Sequence, residues 1–247
     1  PADHLIPDAA ALRRTLAAAA ATAIARGGLV AIGLRPSRPE TGFGYLELGE
    51  VAGVAGGLPV HRITRFVEKP NRESAEAFLA AGSFRWNSGM FAWTATAICE
   101  AIRSCLPELA EGLDRLMADA EAVGEAEALR RHYPGLPRIS VDFGVMEKAA
   151  SVWAVEAEFA WSDIGSWLAL AELLPASAGG ATMGDVTALD SDGCVLVADG
   201  PMLGVVGVRD LVVVATRDAV LVVPKDQAQR VKDLVERLRQ AGREELL

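Results

Sequence analysis

The chain is poor in the residues that usually announce chemistry. Its three cysteines, Cys99, Cys105 and Cys194, are odd in number and lack metal-ligand spacing. That excludes a disulfide framework and a cysteine zinc site, and it predicts a reducing compartment. The three histidines, His4, His61 and His132, stand apart in sequence, and no H-E-x-x-H pair exists. There is no G-x-S-x-G nucleophile elbow and no G-x-x-x-x-G-K-[ST] phosphate loop. Basic side chains number 24 against 33 acidic ones, a formal charge of −9. A nucleic-acid scaffold needs a basic stripe and is disfavoured. A small anionic substrate needs only a few well-placed cations and is not. The Ala-rich run from Leu16 to Ala25 is too short to cross a bilayer and is flanked by Arg13, Arg14 and Arg26. No basic start precedes an apolar run at the terminus, so it is no signal peptide either. No membrane partner and a cytoplasmic protein are expected.

Half of the 247 residues are hydrophobic, enough for one large domain or a domain with a small appendix. Asp8 can cap a helix over 9–26 that ends at Gly27-Gly28, with Leu12, Leu16 and Ile24 on one face. The wholly apolar run Leu29 to Leu34 reads as a buried parallel strand. Strands are expected over 43–48, 60–68 and 151–156. Helices are expected after Asn71, after Thr94, and from Pro107 to about Arg131. Composition shifts after Gly180. Val-rich runs at Cys194–Ala198, Leu203–Val208, Leu211–Ala215 and Ala219–Val223, with a turn signal every 8–10 residues, predict a small all-β unit. No strict hexapeptide repeat accompanies them. Ala228, Val231, Leu234, Val235 and Leu238 mark a terminal amphipathic helix. The division expected is 1–177 and 178–247.

Five stretches carry unusual side chains. W-S-D-I-G-S-W, residues 161–167, sets Asp163 between two tryptophans. Ser162 or Asp163 can cap the helix that follows; alternatively Asp163 is aimed into a site and the tryptophans fix the turn. E-T-G-F-G-Y, residues 40–45, sets two glycines around an aromatic and allows a close backbone approach at Gly44, or is an ordinary turn into a strand. Glu68-Lys69-Pro70 ends a strand with an ion-pairable couple that can hold a hydroxyl and a phosphate, or is a surface pair. In W-N-S-G-M, residues 86–90, read as a loop running into a strand, a buried Asn87 beside Ser88 must find polar partners. D-F-G-V-M-E-K, residues 142–148, adds two carboxylates for which helix capping is a fair account.

In this order, P-A-D-H, P-E-T-G-F-G-Y, F-V-E-K-P, W-N-S-G-M-F, I-S-V-D-F-G-V-M-E-K and W-S-D-I-G-S-W closely resemble the mannose-1-phosphate guanylyltransferases, or GDP-mannose pyrophosphorylases, among the sugar nucleotidyltransferases. The likeness runs from Pro1 to about Val235. It implies an α/β fold: a Rossmann-like nucleotidyltransferase sheet, then a small unit like a short β-helix, then the terminal helix. It implies transfer of GMP from GTP to mannose 1-phosphate, releasing pyrophosphate. Asp3 and Asp163 would hold Mg²⁺, and with Lys69 form the catalytic set. Glu68 would accept sugar hydroxyls, Lys69 would meet the sugar phosphate, and Gly44, Asn87, Ser88 and Asp142 would line the substrate.

The family's Gly-rich start and its Pro-Lys-Gln segment, which hold the nucleotide phosphates, do not occur here. The chain opens on Pro1 as if inside a domain, so an N-terminally truncated sheet is expected, with little activity alone and a tendency to aggregate or form a homodimer. A sibling transferase for another hexose or nucleotide, or a catalytically dead regulatory paralogue, are the competing readings.

Overall fold

The computed structural model describes residues 1, 3–171, 173–177 and 179–246. Its first helix, α1 (Ala9–Arg26), starts where Asp8 Oδ1 accepts from the amides of Ala10 and Ala11, and ends at Gly27 and Gly28, both at positive φ. The face it buries differs from the one expected. Ala11, Thr15, Ala18, Ala19, Thr22 and Ala23 point inward, while Leu16 and Ile24 are 41% and 76% exposed. Small side chains let the helix lie close on the sheet. The buried hydroxyls of Thr15 and Thr22 are satisfied by donating to Ala11 O and Ala18 O, one turn back.

The strands of the first unit are β1 (Leu29–Leu34), β2 (Tyr45–Ala55), β3 (Leu58–Val67), β4 (Phe84–Ala92) and β5 (Val152–Glu156). They hydrogen-bond in the order β1-β4-β2-β3-β5, and β1 closes the ring by pairing parallel with β5. Every residue of β1 is buried. Val30, Ile32 and Leu34 join a cluster with Tyr45, Phe78 and Trp86 on one side; Leu29 and Ala31 join Leu46, Val145 and Met146 on the other. A strand covered on both faces needs no polar alternation, which is why its sequence reads as an unbroken apolar run. Helices α2 (Arg72–Ala81) and α3 (Ala95–Cys105) start at the expected caps, Asn71 and Thr94. The polar helical stretch is two helices, α4 (Pro107–Val123) and α5 (Glu125–His132), broken at Gly124. Residues Asp142–Met146 form one wide π-type turn.

Residues 86–90 are not a loop but lie within β4. Gly33 pairs with Asn87 and Ala31 with Phe91, so two residues of β1 face four of β4. The surplus forms a bulge at Ser88-Gly89-Met90, with Gly89 at φ +69°.

The second unit comprises residues 3–5, 162–171, 173–177 and 179–246. It holds α6 (Trp167–Ala171), β6 (Ala176–Ser177), β7 (Gly180–Met183), β8 (Val186–Leu189), β9 (Cys194–Ala198), β10 (Leu203–Val206), β11 (Leu211–Ala215), β12 (Val220–Pro224) and α7 (Val231–Gln240). Strands β7, β9 and β11 stack in parallel, β8 and β10 pair in parallel beside them, and β12 and β6 add antiparallel at the ends. Val195 lies under Val212 and Val186 under Leu203, 17 residues apart in each case, the spacing of a short coil of β-helix. Gly180 and Gly184 are required there, because a Cβ would run into the carbonyl oxygens of Cys194 and Ala198. Although the composition shift lies near 178, packing assigns α6 to this unit: Trp167, Leu168 and Ala171 cover Val195, Val197, Val212 and Val214.

Candidate functional site

Four of the expected site residues converge in the first unit. Asn87 N donates to Gly44 O at 2.8 Å across the junction of β2 and β4. A Cβ on Gly44 would collide with Glu68 Oε2 and press on Asn87 Cβ, so the glycine lets the acid and the amide approach. Asn87 is 7% exposed. Its Nδ2 donates to Asp142 Oδ1 at 2.9 Å, and its Oδ1 accepts from Gly89 N at 3.1 Å. A carboxylate can only accept and an amide N–H can only donate, so these two partners fix the orientation of the Asn87 amide. Ser88 is 2% exposed, and its hydroxyl accepts from Met90 N inside the bulge.

Glu68 is the most unusual member. Its side chain is 10% exposed, and Oε2 is buried with no hydrogen-bond partner among the described residues. Lys69 Nζ stands 3.7 Å from Oε1 and is largely in solvent. Burial pushes the Glu68 carboxyl above the usual carboxylate range; the Asp142 carboxylate adds to that, and Lys69 opposes it. An unpaired buried acceptor is unfavourable unless something donates to it. A polyhydroxy ligand has such donors.

Lys69 sits at φ +48°, a left-handed conformation that is unfavourable for a residue preceding proline. The turn is braced from a distance: Glu68 N donates to Glu147 Oε1 at 2.9 Å. Phe43 packs edge-on against both Trp86 and Trp161, with centroids 5.2 and 5.0 Å away, which anchors the aromatic of the G-F-G stretch. Sequence reasoning assigns Glu147 no place among the site residues. The signal available was a second carboxylate five positions after Asp142 in one motif.

Asp3 and Asp163 belong to the second unit. An antiparallel bridge joins their segments: Leu5 N donates to Ser162 O at 2.8 Å and Ser162 N to Leu5 O at 3.1 Å. Both carboxylates act on the His4 imidazole. Burial lowers its pKa, while Asp3 and Asp163 pull it upward. The Leu5–Ser162 bridge thus brings the two segments together, although they lie far apart in the chain. Neither Ser162 nor Asp163 caps α6. That role falls to Ser166, whose Oγ accepts from Ala169 N at 3.2 Å. Ser162 Oγ instead accepts from Ile164 N, and Asp163 Oδ1 from Gly165 N at 3.1 Å. Ile164 between them is at φ +48°, strained for a β-branched residue. The two tryptophans serve different cores: Trp161 packs in the first unit and Trp167 in the second.

The family model described as nucleotidyl transferase matches residues 1–178. The chain belongs to the nucleotidyl transferase family. A second model, described as MannoseP isomerase/GMP-like beta-helix domain, matches residues 184–238 and agrees with the coiled strands. Among curated relatives, the mannose-1-phosphate guanylyltransferase of Escherichia coli K12 is 36% identical over 246 residues, 99% of this chain and 51% of its own length. The alginate biosynthesis protein AlgA of Pseudomonas syringae pv. tomato is 38% identical over 250 residues, 99% of this chain and 50% of its own. The chain therefore spans about half the length of these relatives. A solved structure from Thermus thermophilus, described as mannose-1-phosphate geranyltransferase, is 41% identical with a TM-score of 0.81, covering 97% of this chain and 68% of that one. The Rossmann-like sheet, the β-helix-like unit and the terminal helix are thus those of this nucleotidyl transferase family. Among the described residues no helix is long and apolar enough to cross a membrane.

Proposed function

We propose that the chain carries the sugar-phosphate and metal-binding parts of a cytoplasmic mannose-1-phosphate guanylyltransferase, which joins GTP and mannose 1-phosphate into GDP-mannose and pyrophosphate. The observation that carries this reading is the buried, unpartnered Glu68 Oε2, set against Gly44 and the oriented Asn87 amide. Glu68 accepts from sugar hydroxyls, and Lys69 places its ammonium on the sugar phosphate. An oxygen of that phosphate attacks the α-phosphorus of GTP, the bond from the α-phosphorus to the bridging oxygen breaks, and pyrophosphate leaves. The chain's residues contribute by holding the sugar phosphate in line and offsetting its charge, the main levers in phosphoryl transfer.

Asp3 and Asp163 supply hard oxygen donors that suit Mg²⁺. A Cβ on Gly165 would strike the Asp163 carboxylate, so glycine leaves room for it. Among the described residues no group of three or more potential ligands exists. The remaining positions would then fall to phosphate and water, as in other Mg²⁺ sites that handle phosphates. When bound, the ion would neutralise charge developing on the phosphates. Cys99, Cys105 and Cys194 are all unpaired, which supports a reducing, cytoplasmic setting.

Calorimetric titration of mannose 1-phosphate into the purified chain with Mg²⁺ tests this reading. Saturable binding that Glu68→Ala removes is expected. Tighter binding of glucose 1-phosphate would move the chain to a sibling transferase, and no binding of either sugar phosphate would overturn the proposal.

A further inference from the structure

The D-F-G-V-M-E-K stretch holds two acids on one turn, and both reach into the sugar-phosphate cluster. Asp142 accepts from Asn87 Nδ2, and Glu147 accepts from Glu68 N. The backbone explains how. Glu147 N bonds to Asp142 O, five residues back, so the turn is wider than an α-helical one. In an α-helix, residues five apart point about 140° away from each other. The wide turn brings them back to one side, so a single short segment can grip β4 through Asn87 and the end of β3 through Glu68.

We propose that Glu147 is a positioning residue for mannose 1-phosphate: it pins the peptide before Lys69 and so holds the Lys69 ammonium and the Glu68 carboxylate in their binding geometry. The last rung of the β2–β3 ladder pairs Tyr45 with Val67. Beyond it, Glu68 has left the sheet, and Lys69 takes a left-handed conformation before Pro70, which holds only where the surroundings impose it. The hydrogen bond from Glu68 N to Glu147 Oε1 is a restraint of that kind, placed one residue before the strained one. Glu147 itself is exposed, so its replacement opens no core cavity. The inference rests on the sugar-phosphate reading of this cluster.

The test compares Glu147→Ala and Glu147→Gln with the unaltered chain, titrating mannose 1-phosphate calorimetrically and following thermal melting. Alanine removes the acceptor and should weaken binding about tenfold, with a fall of no more than a few degrees in melting temperature, as for the loss of one exposed hydrogen bond. Glutamine keeps an acceptor oxygen and should restore affinity to within about threefold. Equal affinity of the alanine variant and the unaltered chain would overturn the inference. So would a glutamine variant as weak as alanine, which would point to a need for the charge itself. Failure of the unaltered chain to bind mannose 1-phosphate would instead defeat the underlying functional reading.

Discussion

Two turns in this molecule carry the same strain and are held in opposite ways. Lys69 in the first unit and Ile164 in the second both sit at φ +48°. The Lys69 turn is secured from far along the chain, by Glu147 on Glu68 N and by the Gly44–Asn87–Asp142 contacts around the Glu68 carboxylate. The Ile164 turn is secured mostly by its neighbours: Ser162 Oγ takes Ile164 N, Asp163 Oδ1 takes Gly165 N, and the Leu5 bridge adds a tie from outside. A turn built from remote partners can be tuned from several segments, whereas one built from adjacent residues is a self-contained cassette. The first should lose function when distant residues change; the second should tolerate loss of any single brace.

The largest effect is expected at Lys69. A charge-assisted contact to phosphate is worth roughly 1.5–3 kcal/mol, so Lys69→Ala should weaken mannose 1-phosphate binding about 10- to 100-fold. GTP affinity should change far less. Titration of both ligands checks this, and equal weakening would remove Lys69 from the sugar phosphate.

Glu68 sharpens the comparison through pH. Its folded-state pKa is raised above the 4.5 of a free glutamate, chiefly by burial. The folded protein therefore binds this proton more readily than the unfolded chain does. The stabilisation is fully present below the unfolded pKa and is lost as pH rises through the folded value. At neutral pH the buried carboxylate is a net liability. Glu68→Gln should raise the melting temperature by a few degrees at pH 7, with the gain fading below about pH 4. The same variant should bind mannose 1-phosphate more weakly. A melting difference independent of pH would break the link between burial and ionisation.

What was readable in the sequence follows the same local-versus-remote line. Caps at Asp8, Asn71 and Thr94, and the strands Cys194–Ala198 and Leu211–Ala215, depend on adjacent residues or on a strand's own composition, and all are found as expected. The inward face of α1 is set by how closely the sheet approaches, which no periodicity reveals, so small residues displaced Leu16 and Ile24. The bulge in β4 depends on register with β1, a partner more than 50 residues away, and so residues 86–90 resembled a loop. Gly44, Glu68, Asn87 and Asp142 could be gathered into one candidate site only through family resemblance; they stand just before β2, just after β3, within β4 and on a turn. Glu147 acts through a backbone amide, a partner that leaves no trace in side-chain chemistry.

On the locally braced turn, Ser162→Ala should have a modest effect. It removes one side-chain hydrogen bond to Ile164 N and leaves the Asp163–Gly165 bond and both backbone bonds to Leu5. A loss of about 0.5–1.5 kcal/mol is expected from denaturant unfolding. A larger loss would mean that the cassette depends on a single brace.

The smallest net change in stability should come from Ile164→Gly, and it is the most informative about strain. A left-handed conformation costs a non-glycine residue roughly 1–2 kcal/mol, which glycine does not incur. Glycine in turn loses about 0.5–1 kcal/mol through the greater freedom of its unfolded chain. The two nearly cancel, so unfolding free energy should change by less than about 1 kcal/mol. The function of the turn should not be so indifferent. Ile164 follows Asp163 directly, and a flexible residue there lets the carboxylate wander from its bond to Gly165 N. If Asp163 holds Mg²⁺, the variant should bind Mg²⁺ several-fold more weakly, at almost unaltered stability. Unchanged Mg²⁺ affinity would mean that the strain at Ile164 serves only to enter α6, and that the Asp163 carboxylate is held well enough by the residues on its other side.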